Sequence, residues 1–288
     1  MSLKEKLASQ EFVILAEMEP PKGVDISEMV ANAMRVKGKV DAFVVPEMSN
    51  AVMRMSSLGG CMVLANKGFE AVMQTCCRDR NRLALQADLL AASALGIANV
   101  MAVTGVDPSF GDHHRARAVH DVDLVEFLSA IQQMQNGKDM AGIELQGAPH
   151  FCVGSTVNAG ASGSLLDLEL AEMDKKIAAG AEFFITPPVF DLQPLARFKK
   201  RTDEKNAKIL PTILLLKSVG MARYLDRHMD NVSVPDNLIA RIQKAPDKAR
   251  ECVRVASELV AAIKDAGYQG VHIATIGWED KLPNILGE

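Results

Sequence analysis

Several protein classes are excluded by what this 288-residue sequence has little of. Cysteine is scarce and odd in number: Cys61, Cys76, Cys77, Cys152 and Cys252, with no CxxC spacing. That argues against a disulfide framework and against a zinc-ribbon type of metal site. Adjacent Cys76 and Cys77 would point to opposite faces of a strand, which disfavours a paired-thiol redox centre. No stretch approaches the roughly 18 apolar residues of a membrane span. The opening MSLKEKLASQ is charged and has no hydrophobic signal core, so the expected location is the cytoplasm. Neither sign of charge dominates, since 32 Lys and Arg against 36 Asp and Glu leave a net charge of −4. A nucleic-acid footprint or an anionic-membrane surface is therefore not expected. The pair His113–His114 lies among Gly and Asp without acids at ligand spacing and reads as a solvated loop. No Ser/Gly linker or low-complexity stretch divides the chain, so one domain over residues 1–288 is expected.

What is present is a regular alternation. Short apolar runs at 12–17, 41–46, 69–75, 99–104, 150–155, 182–187, 208–213 and 271–276 read as buried strands. Between them lie helical patterns, clearest at 79–96, 165–180 and 248–267, several of them ending on Gly. Strands alternating with helices imply parallel βαβ units, and eight of them imply a closed α/β architecture, the (β/α)8 barrel. An open doubly wound sheet would carry a Gly-rich phosphate turn after its first strand, and the sequence there is EMEPPKG. Little chain follows the last strand, so the eighth helix is expected to be short or absent.

Barrel enzymes place their chemistry at the C-terminal ends of the strands. In LAEMEPPKG, Glu17 and Glu19 close the first strand two residues apart, so both face the same side. Pro20 and Pro21 forbid continuation as a central strand. By itself this reads equally well as a solvated strand end. The other strand ends carry short hydrogen-bonding groups and few bases, with no Ser-His-Asp set and no obvious Schiff-base lysine. Such a set suits a large heteroaromatic ligand and one proton donor.

Five segments carry a family resemblance: EMEPPKG, QTCCRDRNR, VTGVDP, LDLELAEMDKKIAAGAEFFITPPVFD and ILPTILLLKS. In this order they resemble methylenetetrahydrofolate reductase, a family of flavin-dependent barrels that pass hydride to methylenetetrahydrofolate. The resemblance implies FAD, or FMN as the alternative, a folate substrate, and NAD(P)H or a redox partner protein as electron source. It also implies a homo- or hetero-oligomer. Position by position it makes Glu17 the general acid and places Asp107 against flavin and pterin. It assigns Ser56, Thr75, Thr156, Glu169 and Lys176 to the cofactor, and Pro187 and Val219 to the substrate region. The sequence departs from the family pattern at Met73, where a histidine is expected, and at Val106, which separates Gly105 from Asp107. It departs again at Pro187 (for glutamine), at Val219 (for an aromatic residue) and near Trp278 (for arginine). These departures resemble a branch whose members take electrons through a partner protein. Two further readings stay open: a non-catalytic or electron-accepting subunit of a redox complex, and a flavin-free pterin-binding methyltransferase.

Overall fold

The computed structural model describes residues 1–9, 11–205 and 207–287. Eight parallel strands close on themselves in sequence order, with β1 pairing both β2 and β8. The first half runs α1 (Leu3–Ala8), β1 (Val13–Glu17), α2 (Ser27–Arg35), β2 (Ala42–Val45), α3 (Ser57–Ala65), β3 (Ala71–Cys76), α4 (Arg82–Ala94) and β4 (Asn99–Val103). It continues with α5 (Leu124–Gln135), β5 (Cys152–Thr156), α6 (Ser164–Ala178), β6 (Phe183–Pro188), α7 (Leu192–Thr202) and β7 (Lys208–Leu214). Three helices, α8 (Val219–His228), α9 (Asp236–Lys244) and α10 (Lys248–Asp265), precede β8 (Gly270–Ala274). A four-residue helix, α11 (Leu282–Ile285), closes the chain, as short as expected.

Every strand read from the sequence is present, because each is an apolar run buried on both faces. Side-chain parity splits the core into two layers. One lies between barrel and helices; the other fills the lumen with Val13, Leu15, Val44, Met101, Phe183 and Leu210. Phe183 needs the space opposite Gly154, where a Cβ would sit 2.2 Å from the ring. The N-terminal end of the lumen is plugged by α1, whose Leu3 and Leu7 are buried with the lumen residues. No helix was expected there, since six residues with two leucines are too short for periodicity to register.

The start of α4 falls later than the apolar pattern suggests, while α10 begins where the pattern puts it, and caps decide both. Asn81 accepts from the Ala84 amide to begin α4, and Asp247 from the Arg250 amide to begin α10. At the end of β6 the register shifts between Ile185 and Pro188. The Thr186 hydroxyl accepts from the Thr212 amide at 3.1 Å, standing in for a ladder bond beside the prolines. No helix of the described residues is long and apolar enough to cross a membrane.

Candidate active site

Glu17 shares the parity of Val13 and Leu15, so β1 delivers its carboxyl to the C-terminal mouth of the lumen. The side chain is half-buried. Burial, and then the carboxylates of Glu19 and Glu279, push its carboxyl up to about 7. A group poised there holds a proton near neutrality and can release it.

Glu19 faces the same way but is no more solvated than a site residue. It is 13% exposed, and its Oε1 lies 2.8 Å from Nε of Arg54. Burial raises its carboxyl too, while Arg54 and Lys217 pull the other way. The prolines do more than stop the strand. The Pro20 carbonyl accepts from Arg54 at 3.3 Å, and the Pro21 carbonyl accepts from the Met55 amide at 3.0 Å. The loop after β2 thereby latches the turn that carries both acids.

The loop after β8 closes the mouth on the other side of β1. Ile276 sits at φ 48°, a left-handed conformation that β-branched residues rarely adopt. Its carbonyl accepts from the Lys217 ammonium, which also lies 5.3 Å above the Trp278 ring. The Gly277 amide then donates to Oε1 of Glu279 at 2.9 Å, folding that carboxylate inward to 8% exposure. Glu279, Arg54 and Lys217 were not singled out as site residues by sequence reasoning; only the strand-end position of Lys217 signalled it.

The remaining expected residues separate into groups. Ser56 caps α3, its hydroxyl accepting from the Gly59 amide at 3.2 Å. Thr75 is 3% exposed and shares the helix-facing side with Ala71 and Met73, so the structure does not bring it to the mouth. Met73 is likewise in the core, which makes the missing histidine a change of packing rather than of the mouth. The lumen-facing neighbour is Gln74, whose carbonyl oxygen accepts from the Glu47 amide. Asp107 stands exposed on the loop after β4 and accepts from the Ser109 amide at 2.8 Å, which holds its carboxyl low. Gly105, at φ 88°, sets that turn; a Cβ there would fall 2.2 Å from Sγ of Cys76.

Thr156, Glu169 and Lys176 do come together. Lys176 donates to the Thr156 carbonyl at 2.9 Å, and Glu169 accepts from the Asn158 amide at 2.9 Å. Both α6 charges thus hold the end of β5. A cleft of about 600 Å³ opens beside them, lined by Thr104, Asp123, Leu124, Glu169, Lys175 and Lys176. Burial lowers the Lys176 ammonium, so an anion reaching it would be welcome. The lining also includes Glu172, so three carboxylates stand beside Lys175 and Lys176, a hydrogen-bonding set that would suit the hydroxyls of a ribityl chain. Pro187 lines a separate cleft of about 260 Å³, walled by Gly160, Phe190 and Asn231. Val219 opens α8, behind the Ser218 cap.

Arg78 organises the mouth from beneath. It is 2% exposed and donates to the carbonyls of Met48 and Val106 and to both oxygens of Asp79. Arg80 pairs with buried Glu47, which also accepts from the Ser57 amide at 2.7 Å.

Fold and mouth together define a (β/α)8 barrel whose C-terminal face holds a cluster of acids, among them Glu17 with its carboxyl raised to about 7. Residues 2–288 match the methylenetetrahydrofolate reductase family, and the chain belongs to it. Methylenetetrahydrofolate reductase 2 of Schizosaccharomyces pombe (strain 972 / ATCC 24843) is 25% identical over 232 residues, 75% of this chain and 35% of that protein. The chain therefore spans about a third of the length of that curated relative. Among solved structures, an uncharacterized protein from Clostridium thermocellum that binds two copies of 5-methyl-5,6,7,8-tetrahydrofolic acid superposes with a TM-score of 0.66. The two are 16% identical, over 99% of this chain and 96% of that one. EDTA monooxygenase (EmoA) from Chelativorans sp. BNC1 follows at a TM-score of 0.58 and 12% identity, over 96% and 92% of the two chains. At these identities the likeness is one of fold.

Proposed function

We propose that this barrel reduces 5,10-methylenetetrahydrofolate to 5-methyltetrahydrofolate, with Glu17 as general acid and a flavin, FAD or FMN, as bound cofactor. The observation that carries the reading is the Glu17 carboxyl, held at the lumen mouth and raised to about 7. The substrate's one-carbon unit is locked between two ring nitrogens. Glu17 gives its proton to the leaving nitrogen, and the carbon–nitrogen bond breaks with its electron pair passing to that nitrogen. The cofactor, when bound, supplies the hydride that turns the resulting iminium carbon into a methyl group. Glu19, beside Arg54, is the nearest acid on the same strand, and its carboxylate favours the protonated form of Glu17 between turnovers. Asp107, exposed and ionised, is available to the positive charge of the iminium. Lys176 and the Thr156 end of β5 would hold the cofactor's anionic end.

The family relationship and the folate bound by the Clostridium thermocellum protein support a folate of this class. Purified protein is expected to be yellow, to bleach with dithionite and to release FAD or FMN on denaturation. It should then reduce methylenetetrahydrofolate at the expense of the reduced flavin. Colourless protein that also fails to bind added flavin would overturn the reading. Val219 and Trp278, in place of an aromatic residue and an arginine, favour electron supply through a partner protein over NAD(P)H. Flavin reduction by NADH or NADPH alone at the turnover rate would reject that part and leave the rest standing.

A further inference from the structure

The long helices around the barrel turn charge to solvent: α6 exposes Asp167, Glu172 and Lys175, and α10 exposes Arg250, Arg254, Glu258 and Lys264. The outer face of α4 does not. Between Arg82 and Gly96 its exposed residues are Leu83, Ala87, Leu90, Ala94 and Leu95, the leucines at 73%, 38% and 49%. Asp88, the one charged residue in that span, is half-buried and paired with Arg80 at 2.6 Å. Leu83, Ala87, Leu90 and Ala94 follow one another at four, three and four residues, so they form a single stripe along the helix. The core is already served by Leu85, Leu89 and Ala92 on the opposite face, and the outer stripe adds nothing to it. The uncharged wall is wider than the stripe. The next helix round the barrel, α3, contains no charged residue and leaves Met62 and Val63 half-exposed. Gln86 of α4 accepts from the Met140 amide at 2.8 Å, which anchors the loop bearing Ile143, 65% exposed.

We infer that the outer face of α4 is the seam of a two-fold dimer, covered by the same face of a second copy of this chain. The order of residues in the stripe selects that occupant. When two such helices lie antiparallel about an axis between Ala87 and Leu90, Leu83 meets Ala94 of the second copy and Leu90 meets its Ala87. Every leucine then finds an alanine opposite, in both directions at once, as an isologous contact requires. A stripe of leucines alone would accept many partners; this alternation is complementary to itself. Charge agrees with the pairing. Arg82 comes to Leu95 of the second copy, at the carbonyl end of that α4, where the helix dipole favours a cation. Asp88, close to the axis, already has Arg80, so two chains of net charge −4 meet without an unpaired charge in the stripe. With α3 and Ile143 beside it, α4 offers on the order of 600 Å² per copy, the lower end for a specific interface. A reversible dimer follows rather than an obligate one. The seam lies on the side of the barrel, so it stands or falls independently of the chemistry proposed at the mouth.

Sedimentation velocity of the purified protein, from about 1 to about 200 μM, tests the seam. The native chain should pass from one copy to two as concentration rises. Leu90→Arg sets a guanidinium against Ala87 of the second copy, twice per dimer, and should weaken association by about a hundredfold or more. Thermal unfolding of the dilute variant should match that of the dilute native protein, which separates a lost seam from a lost fold. Exchange of residues tests the register. Leu83→Ala leaves a gap opposite Ala94, and Ala94→Leu sets two leucines against each other, so each alone should weaken the dimer by about tenfold. Both changes in one chain restore large against small, and that variant should associate within about threefold of the native protein. A chain that stays single at every concentration would overturn the inference and leave the face to a protein of different sequence. A dimer that Leu90→Arg does not weaken, or a double variant no better than the worse single one, would overturn it as well.

Discussion

Nη1 of Arg78 donates to the Val106 carbonyl at 3.1 Å, joining the turn after β3 to the loop after β4 that carries Asp107. The same guanidinium reaches the Met48 carbonyl, in the loop after β2, at 3.3 Å. One nearly inaccessible cation therefore sets the relative height of three loops at the mouth. Arg78→Met should destabilise the protein by about 2–4 kcal/mol, because several buried acceptors lose their donor at once. Urea unfolding checks this, and a loss under about 0.5 kcal/mol would show that the loops hold their positions without it.

The two acids of β1 should separate kinetically. Glu17→Gln is expected to slow methylenetetrahydrofolate reduction by about 10²–10⁴-fold while leaving reduction of the flavin by its donor nearly unchanged. Glu19→Gln should affect folate reduction modestly, since Glu19 is tied to Arg54. Stopped-flow measurement of each half-reaction decides the matter. Normal folate reduction in Glu17→Gln with its loss in Glu19→Gln would reverse the assignment.

Glu17 also predicts a pH-dependent stability. Its folded value of about 7 lies above the ordinary 4.5, so the folded state holds more protons than the unfolded chain between those values. Stability should fall as pH rises through that window, and the loss should be complete above about 7. Because Glu17 is only half-buried, the effect is discounted to about 1–2 kcal/mol. Glu17→Gln should accordingly be more stable than the native protein at pH 8 and no more stable at pH 4. Equal differences at the two pH values would show that Glu17 is not shifted.

The cleft beside Lys176 yields a contrast between two residues that the family resemblance treats alike. Lys176→Met removes the donor to the Thr156 carbonyl and the cation of the cleft, and should weaken flavin binding by about tenfold or more. Thr75→Val changes a hydroxyl on the helix-facing side and should leave flavin affinity within about twofold. Fluorescence titration of the flavin-stripped protein measures both. The opposite ranking would place the cofactor elsewhere on the mouth.

Gly154→Ala should cost about 1–3 kcal/mol or more, since the new methyl group would meet the Phe183 ring at 2.2 Å. Phe183→Leu in the same chain should recover part of that loss, and thermal unfolding of the single and double variants reads the coupling. Strict additivity would mean the two side chains do not compete for the lumen.

Local pattern settled a good deal of this molecule. Eight apolar runs spaced by helical stretches were enough to specify the barrel. Period-two alternation in LAEMEPP placed Glu17 and Glu19 together on one face. Parity could also have turned Thr75 away from the mouth, but a matched motif position carries no facing. The short α1 plug, the cap-determined helix starts and the hydroxyl of Thr186 at the β6 irregularity depend on hydrogen bonds that no periodicity encodes. The most consequential placement, β8 and its loop beside the strand that carries Glu17, joins opposite ends of the chain. Side-chain direction is a property of neighbouring residues along a strand. Adjacency of the first and last strands exists only once the sheet has curled through all eight and closed, and that closure brings the loop after β8 to the strand of the acid.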